Sequence, residues 1–503
     1  MKPGPGAPTR PIELAGGASS ATAHLAAARV DVPDAVIERL RDACAAVTTD
    51  AAALAEASRD WWPLAMTWAT HGELPSIAHV VATPTDAAQI SAVLAICNNA
   101  RVPVTAAAGR SGVCGSSVPV HGGVVLDLTQ LSGIVDVDDT SMVLDVQAGT
   151  FGNLLEDELR TSHGKTLGHW PQSIDLSTVG GWLACRSAGQ YSNRYGKIED
   201  MVVGLDVVLA DGEQIRTGGA PRQAVGPDLN QVFVGSEGTL GVITSARLRV
   251  HDVPTHEATR AFGFASVPAA LDAMRRIIRR GATPAVLRLY DATEAERSYK
   301  TKDVNLLLVR DEGDELIVDA TMRIVDEEAR RAGATEQDTA YVQQWMGHRN
   351  DVSALEALIS RGYVVDTMEI AAPWAALPVI YERTVAALLG VEGTIAASAH
   401  QSHSYLDGGC LYFTFAGKLD DGADTDAYYR SLWDAGQRAV LTNGGALSHH
   451  HGVGLNRARF VREALGPAFG VLAALKDALD PNGILNPGKL GLPSRFGATG
   501  FDA

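Results

Sequence analysis

Three consecutive histidines, His449, His450 and His451, stand in the stretch GGALSHHHGVG, between small residues and a Gly-Val-Gly turn. Imidazole ligates metals and moves protons near neutral pH, so a triplet suits either task. A solvated loop is the plainer reading of the same residues. Three glycine-rich clusters lie upstream. In AAAGRSG, residues 106–112, small side chains let several backbone N–H groups converge on an anion. The cluster is neither a Walker loop nor a GxGxxG helix opening. In HWPQSIDLSTVGGWLACRSAG, residues 169–189, Ser173, Ser177 and Thr178 add hydroxyls, Gly180 and Gly181 permit close approach, and Arg186 adds a cation. Hydroxyls, amides and one guanidinium are what a pyrophosphate takes. A third glycine loop, VGSEGTLGVIT, residues 234–244, feeds a strand. Together the three loops point to a phosphate-bearing cofactor.

Such groups need a frame to hold them. The segment from residue 76 to 112 reads strand, helix, strand, loop, with Thr85 or Asp86 as helix cap and Ile90, Val93, Leu94 and Cys97 as the buried stripe. Strands are expected over 122–128 and 141–149, a helix over 151–162, and a hairpin over 201–218 turning at Asp211-Gly212. After Pro254 come a strand over 258–265, helices over 270–281 and 315–332, and a strand over 410–417. This predicts an α+β chain in four parts: residues 1–72 as a flexible N-terminus and helical lead-in, 73–252 as the cofactor domain, 253–445 as a substrate or cap domain with an antiparallel sheet, and 446–503 as a C-terminal segment packing back on the site.

The bulk numbers set limits. A chain of 503 residues with 46% hydrophobic and 20% charged residues is an ordinary globular mix. A net charge of −17, with no Lys/Arg block, argues against nucleic acid as a partner. Five scattered cysteines without a CxxC pair fit a reducing compartment. The opening MKPGPGAPTRPIELAGG has no apolar core of the signal-peptide kind, and no apolar run approaches ~18 residues. A cytoplasmic location is expected, with a peripheral membrane contact left open.

The order PQSIDLSTVGGW, RSAG, YGKIEDMV, VGSEGTLGVIT resembles the PCMH-type FAD-binding domain of the vanillyl-alcohol-oxidase superfamily. Within it, LSHHHGVG and CLYF are similar to alkyldihydroxyacetonephosphate synthase, over about residues 60–490. The resemblance implies a non-covalent FAD held by four runs. The first is Ala106, Ala107, Ala108, Gly109, Arg110, Ser111 and Gly112; the second is Gln172, Ser173, Ile174, Asp175, Leu176, Ser177 and Thr178. The third is Arg186, Ser187, Ala188 and Gly189; the fourth is Ser236, Glu237, Gly238, Thr239, Leu240, Gly241 and Val242. It implies Tyr412 as catalytic base, Arg288 and His169 as further catalytic residues, and the three histidines as active-site groups rather than metal ligands. The implied activity is a redox-neutral exchange of an acyl group for a long-chain alcohol at flavin N5. Neighbouring imidazoles are expected to lower the pKa of the tyrosine. A homodimer and a small or lipid-like substrate follow from the same resemblance.

A second branch, the FAD-linked D-2-hydroxyacid dehydrogenases, shares the C-terminal NPGK, residues 486–489. Its metal site draws on GHxGDGNLH and EHGxG. Here the second histidine becomes Tyr412 and the glutamate becomes His450, leaving His403, so no metal is expected. An oxidase or dehydrogenase of a hydroxylated substrate is the alternative function. The chain also departs from the synthase pattern. Ala108-Gly109-Arg110-Ser111 replaces a Gly-Gly-Gly-Thr loop, Leu355 stands where a phosphate-binding arginine is expected, and Leu455 replaces a lysine. Arg361, or His348 with Arg349, are the nearby substitutes.

Overall fold

Asp86 accepts a hydrogen bond from the Gln89 amide and starts the helix Ala87–Ala100, which buries Ile90, Val93, Leu94, Ile96 and Cys97. The computed structural model describes residues 6–420 and 422–501. That helix links the strands Val80–Thr83 and Val104–Ala107, which pair in parallel on either side of Val124–Asp127. With the antiparallel strand Ala46–Thr48 they form a four-stranded sheet. A five-stranded antiparallel sheet follows, ordered Gln214–Gly218, Val202–Val208, Val242–Arg249, Val143–Gln147, Ile134–Asp138. Its hairpin turns at Asp211-Gly212, where Gly212 takes φ 93°.

The third sheet has seven strands, all antiparallel: Thr335–Glu336, His256–Phe264, Asn305–Gly313, Val286–Tyr290, Thr394–Ser404, Gly408–Lys418, Tyr363–Pro373. Strand period two divides its faces. Leu411, Phe413 and Phe415 bury against the helices Leu377–Leu389 and Thr425–Thr442, while Tyr412, Thr414 and Ala416 face a cavity. The chain end returns to the first sheet: Val104 N–H donates to the Ile484 carbonyl, and Asn486 N–H to that of Val104.

Several expectations shift. Residues 1–5 lie outside the described residues, and the expected flexible N-terminus is packed against the fold at several positions beyond them. Ile12 and Leu14 are buried against Ala55, Met66 and Leu74, and Thr22–Ala23 pairs with Glu73–Leu74, because this apolar pair has a hydrophobic floor to cover. The spacing of Val36, Leu40 and Ala43 predicts a helix over 33–47; the helix runs Asp34–Ala43, since Ala46–Thr48 joins a sheet edge. The long strands Tyr363–Pro373 and Thr394–Ser404 carry no clean apolar alternation and were not foreseen.

Candidate active site

A cavity of about 590 Å³ runs between the glycine loops and the seven-stranded sheet. All of residues 106–112 line it, as do Gln172, Ser173, Leu176, Ser177 and Thr178, then Ser187 and Ala188, then Ser236, Glu237, Gly238, Gly241 and Val242. Ile174, Asp175, Arg186, Gly189, Thr239 and Leu240 do not line it and instead support the loops. Gly180, Gly181, Trp182 and Cys185 line it as well, and Gly180-Gly181 forms the first turn of the helix Val179–Cys185.

The cradle fits the polar end of a dinucleotide. Among the described residues, the backbone N–H groups of Gly109, Arg110, Ser111 and Gly112 donate to no backbone carbonyl, which leaves them for an anion. A Cβ at Gly109 would collide with the Leu176 carbonyl, so two cofactor loops touch backbone to backbone there. The expected cation does not face the cavity. Arg186, at the helix end with φ 56°, sends Nη2 to Gln231 Oε1 at 3.1 Å and Nη1 to the Val234 carbonyl at 3.4 Å. Among the described residues, two guanidiniums line the wall, that of Arg297 and that of Arg110 in the first loop, 3.2 Å from Asp127.

One row across the seven-stranded sheet carries the chemistry. Tyr290 pairs with His400, His400 with Tyr412, and Tyr412 with Glu369, so side chains from four strands share one face. His400 stacks on Tyr412 with ring centroids 4.6 Å apart. Tyr412 donates to Thr367 Oγ1 at 3.0 Å. Of the six expected catalytic residues, Tyr412, His450 and His451 line the cavity. Arg288 stands behind His400, with Nη2 2.7 Å from His400 Nε2, and His400 Nδ1 lies 2.9 Å from Glu294 Oε1. His169 lies under the wall, its Nε2 3.2 Å from Ser187 Oγ and its ring beside Trp182. His449 is held between Tyr405 OH, 2.9 Å from its Nε2, and His450, whose Nδ1 is 2.9 Å from its Nδ1.

Sequence reasoning missed the group that shapes the triplet. Glu369 is fully buried and accepts from the backbone N–H groups of His449, His450 and His451, from Ser448 Oγ, and from Arg457 Nη1 at 3.2 Å. Burial is the largest influence and opposes its charge, but Arg457, His451 and the histidine amides together outweigh it and hold the carboxyl below its ordinary pKa. Lys197 Nζ adds a bond to the His449 carbonyl at 2.7 Å. Glu237 ties the flavin side to the same loop by accepting from the Val453 and Gly454 amides. The only signal for Glu369 in the sequence was its place in MEIAAPW, and that says nothing of its partners.

The titration states reverse one expectation. Burial, reinforced by Glu369, pushes the Tyr412 phenol up rather than down, so it keeps its proton at neutral pH. Burial pushes His449 and His450 well below 6.5, and His400 and His451 to about 4. Neutral imidazoles cannot lower a neighbouring phenol. Of these, His451 is an open proton acceptor: among the described residues its Nδ1 makes no hydrogen bond. Ligand atoms of His403, His449 and His450 lie within 4.8 Å of one another, a grouping of the size a metal ion needs.

These shifts predict a pH dependence of stability. In the unfolded chain His400 and His451 titrate near 6.5, whereas in the fold each is held to about 4. Between these values the unfolded chain binds more protons, so stability is full above 6.5 and falls as pH drops toward 4. Each histidine accounts for about 3 kcal/mol across the whole window. Urea midpoints at pH 7 and pH 5 should fall with acid, with proton uptake on unfolding. A flat profile would contradict the neutral assignment.

Two family models match the chain: an FAD binding domain over residues 78–218, and the C-terminal domain of FAD linked oxidases over 253–490. An uncharacterized FAD-linked oxidoreductase, YgcU of Escherichia coli K12, is 31% identical over 421 residues, covering 80% of this chain and 86% of the relative. The chain belongs to the FAD-linked oxidase family. Its cofactor is FAD. Alkyldihydroxyacetonephosphate synthase of Dictyostelium discoideum is 29% identical over 457 residues, covering 83% of this chain and 74% of the relative. A solved alkyldihydroxyacetonephosphate synthase superposes with TM-score 0.77 at 24% identity, over 92% of this chain and 87% of the other. p-Cresol methylhydroxylase superposes with TM-score 0.74 at 19% identity, over 93% and 99%. The fold is that of the PCMH-type FAD-binding proteins, joined to a C-terminal domain with an antiparallel sheet. As an FAD-linked oxidase the chain is an enzyme, and no described helix is long and apolar enough to cross a membrane.

Proposed function

We propose that this FAD-linked enzyme works by alkyldihydroxyacetonephosphate-synthase-type chemistry. It would take a proton from a carbon beside a ketone and exchange an acyl group for a long-chain alcohol, without net redox change. One observation carries the reading: Tyr412, His450 and His451 line the same cavity as the flavin loops, and that cavity continues along the apolar Leu355, Leu358, Val365 and Ala416. FAD held by the glycine loops would supply an electrophilic ring position to the substrate carbon. His451 is neutral and accepts the proton; Glu369 Oε1, 3.6 Å from its Nδ1, favours the imidazolium that forms. Tyr412 keeps its proton and, on leaving Thr367 Oγ1, donates it in a hydrogen bond to the ketone oxygen, where negative charge develops. His169 and Arg288 act from behind the wall, through Ser187 and His400.

The reading treats the histidines as proton and hydrogen-bond groups, not metal ligands, because both ring nitrogens of His449 are already engaged. It takes FAD as non-covalent, the chain as a cytoplasmic homodimer able to make peripheral membrane contact, and the domain bounds as 73–252 and 253–445. A second reading, oxidation of a hydroxylated small molecule, is favoured by the same neutral imidazoles, which would equally take a hydroxyl proton. Anaerobic mixing with an acyl-dihydroxyacetone phosphate and a fatty alcohol separates the two. Turnover without an electron acceptor supports the exchange, whereas bleaching of the flavin that an acceptor reverses supports oxidation. Flavin left on acid-denatured protein would sink the non-covalent assignment.

A further inference from the structure

The three cations expected to replace the missing arginine do not line the cavity. Arg349 lies over Trp170 and Tyr191, at 5.0 and 4.9 Å from their ring centres. Arg361 is exposed, and His348 is exposed with its Nδ1 2.7 Å from the Gln344 carbonyl. Leu355 itself lines the cavity.

Among the described lining residues, two carry a fixed positive charge, Arg110 and Arg297. Arg110 is in the flavin loop and is paired with Asp127. Arg297, on the helix Ala292–Tyr299, is 48% exposed and weakly partnered. Its nearest carboxylate, Glu294, stands 3.8 Å from Nη2 and is already engaged with His400 Nδ1 at 2.9 Å. Its hydrogen bond to Ser398 Oγ is long, at 3.5 Å. A guanidinium has five donors in a planar fork, so most of these meet no acceptor among the described residues.

Its position has a defined relation to the chemistry. Ser398 pairs with Thr414, one same-face row along from His400 and Tyr412. Two residues along a strand is about 7 Å. Thr414 and Tyr412 both line the cavity. A cation one row beyond the proton-handling wall, with apolar Leu355 and Leu358 in the same cavity, matches a ligand that is anionic at one point and apolar elsewhere.

We propose that Arg297 is the anchor for an anionic group, a phosphate or a carboxylate, of an amphiphilic substrate, one sheet row (about 7 Å along the strand) from the row of His400 and Tyr412. Arg297 thereby takes over the task that Leu355 cannot perform. The proposal rests on reading this cavity as the substrate site, and its test reads binding rather than turnover.

The experiment titrates the FAD-loaded enzyme with hexyl phosphate, hexanoate and neutral 1-hexanol, following flavin absorbance. The two anions should bind wild type, and Arg297→Gln should weaken the preferred one about ten- to a hundredfold while leaving 1-hexanol unchanged. Arg297→Lys should retain part of the affinity, since it keeps charge without the fork. Preference for one anion identifies phosphate or carboxylate as the group. Equal anion binding by wild type and Arg297→Gln, or no anion binding by wild type, would overturn the proposal. Equal loss of 1-hexanol would overturn it too, because the residue would then be shaping the cavity rather than holding charge. Absence of both exchange and oxidation would defeat the functional reading and leave these titrations interpretable.

Discussion

Tyr412→Phe is expected to lower turnover about a hundredfold or more while FAD content and folding stay near native. The change removes one oxygen. The ring remains stacked on His400 at 4.6 Å, and the lost bond to Thr367 Oγ1 is partly buried, so its stability cost is about 1 kcal/mol. What disappears is the O–H that donates to Thr367 in the resting site and that the reading turns to the developing negative charge. Because burial holds the phenol protonated, wild-type activity should not rise with pH through a tyrosine ionisation near neutrality. Steady-state kinetics of the variant beside its flavin spectrum is the check. A Phe variant with native kcat would remove Tyr412 from the chemistry.

Glu369→Gln should cost about 3–5 kcal/mol, because it leaves Arg457 buried without its counter-charge. Arg457 is fully buried, and among the described residues its Nε and Nη2 make no hydrogen bond; without the Glu369 carboxylate its closest partners would be the neutral Leu447 carbonyl and the Trp433 ring. The same carboxylate gathers the three histidine amides, so the variant should also lose activity beyond what instability explains. Urea unfolding of the FAD-loaded protein measures the first effect. Glu369→Gln with Arg457→Met should recover much of the lost stability by removing the stranded charge, without restoring the loop. A single variant as stable as wild type would show that the pair does not hold the triplet.

Much of the frame was legible in the residues alone. The stripe Ile90, Val93, Leu94 and Cys97, the cap at Asp86 and the turn at Asp211-Gly212 are local features, decided by spacing within one segment. The glycine loops were legible for the same reason: glycine at Gly109 answers a backbone contact, and glycine clusters stand out in composition. Tyr412, His450 and His451 were found through motifs, and they do share a wall.

What tertiary structure alone decided was direction, pairing and charge state. Arg186 looked like the pyrophosphate cation and points away, because a left-handed helix end turns its side chain toward Gln231. Glu369 and Lys197 lie 80 and 252 residues from His449 along the chain, beyond the reach of any local pattern, and only the fold brings them to the triplet. Arg297 reaches the cavity because Ser398 pairs with Thr414, and a slip of one residue in that register would turn Tyr412 and Thr414 to the opposite face of the sheet. The pKa expectation for Tyr412 failed on the same ground. A list of neighbouring residue types carries no desolvation, and desolvation is what keeps the imidazoles neutral and the phenol protonated. The sequence determined which groups are present and which short segments hold them; burial and strand register, which are long-range, decided what each group faces and which proton it carries.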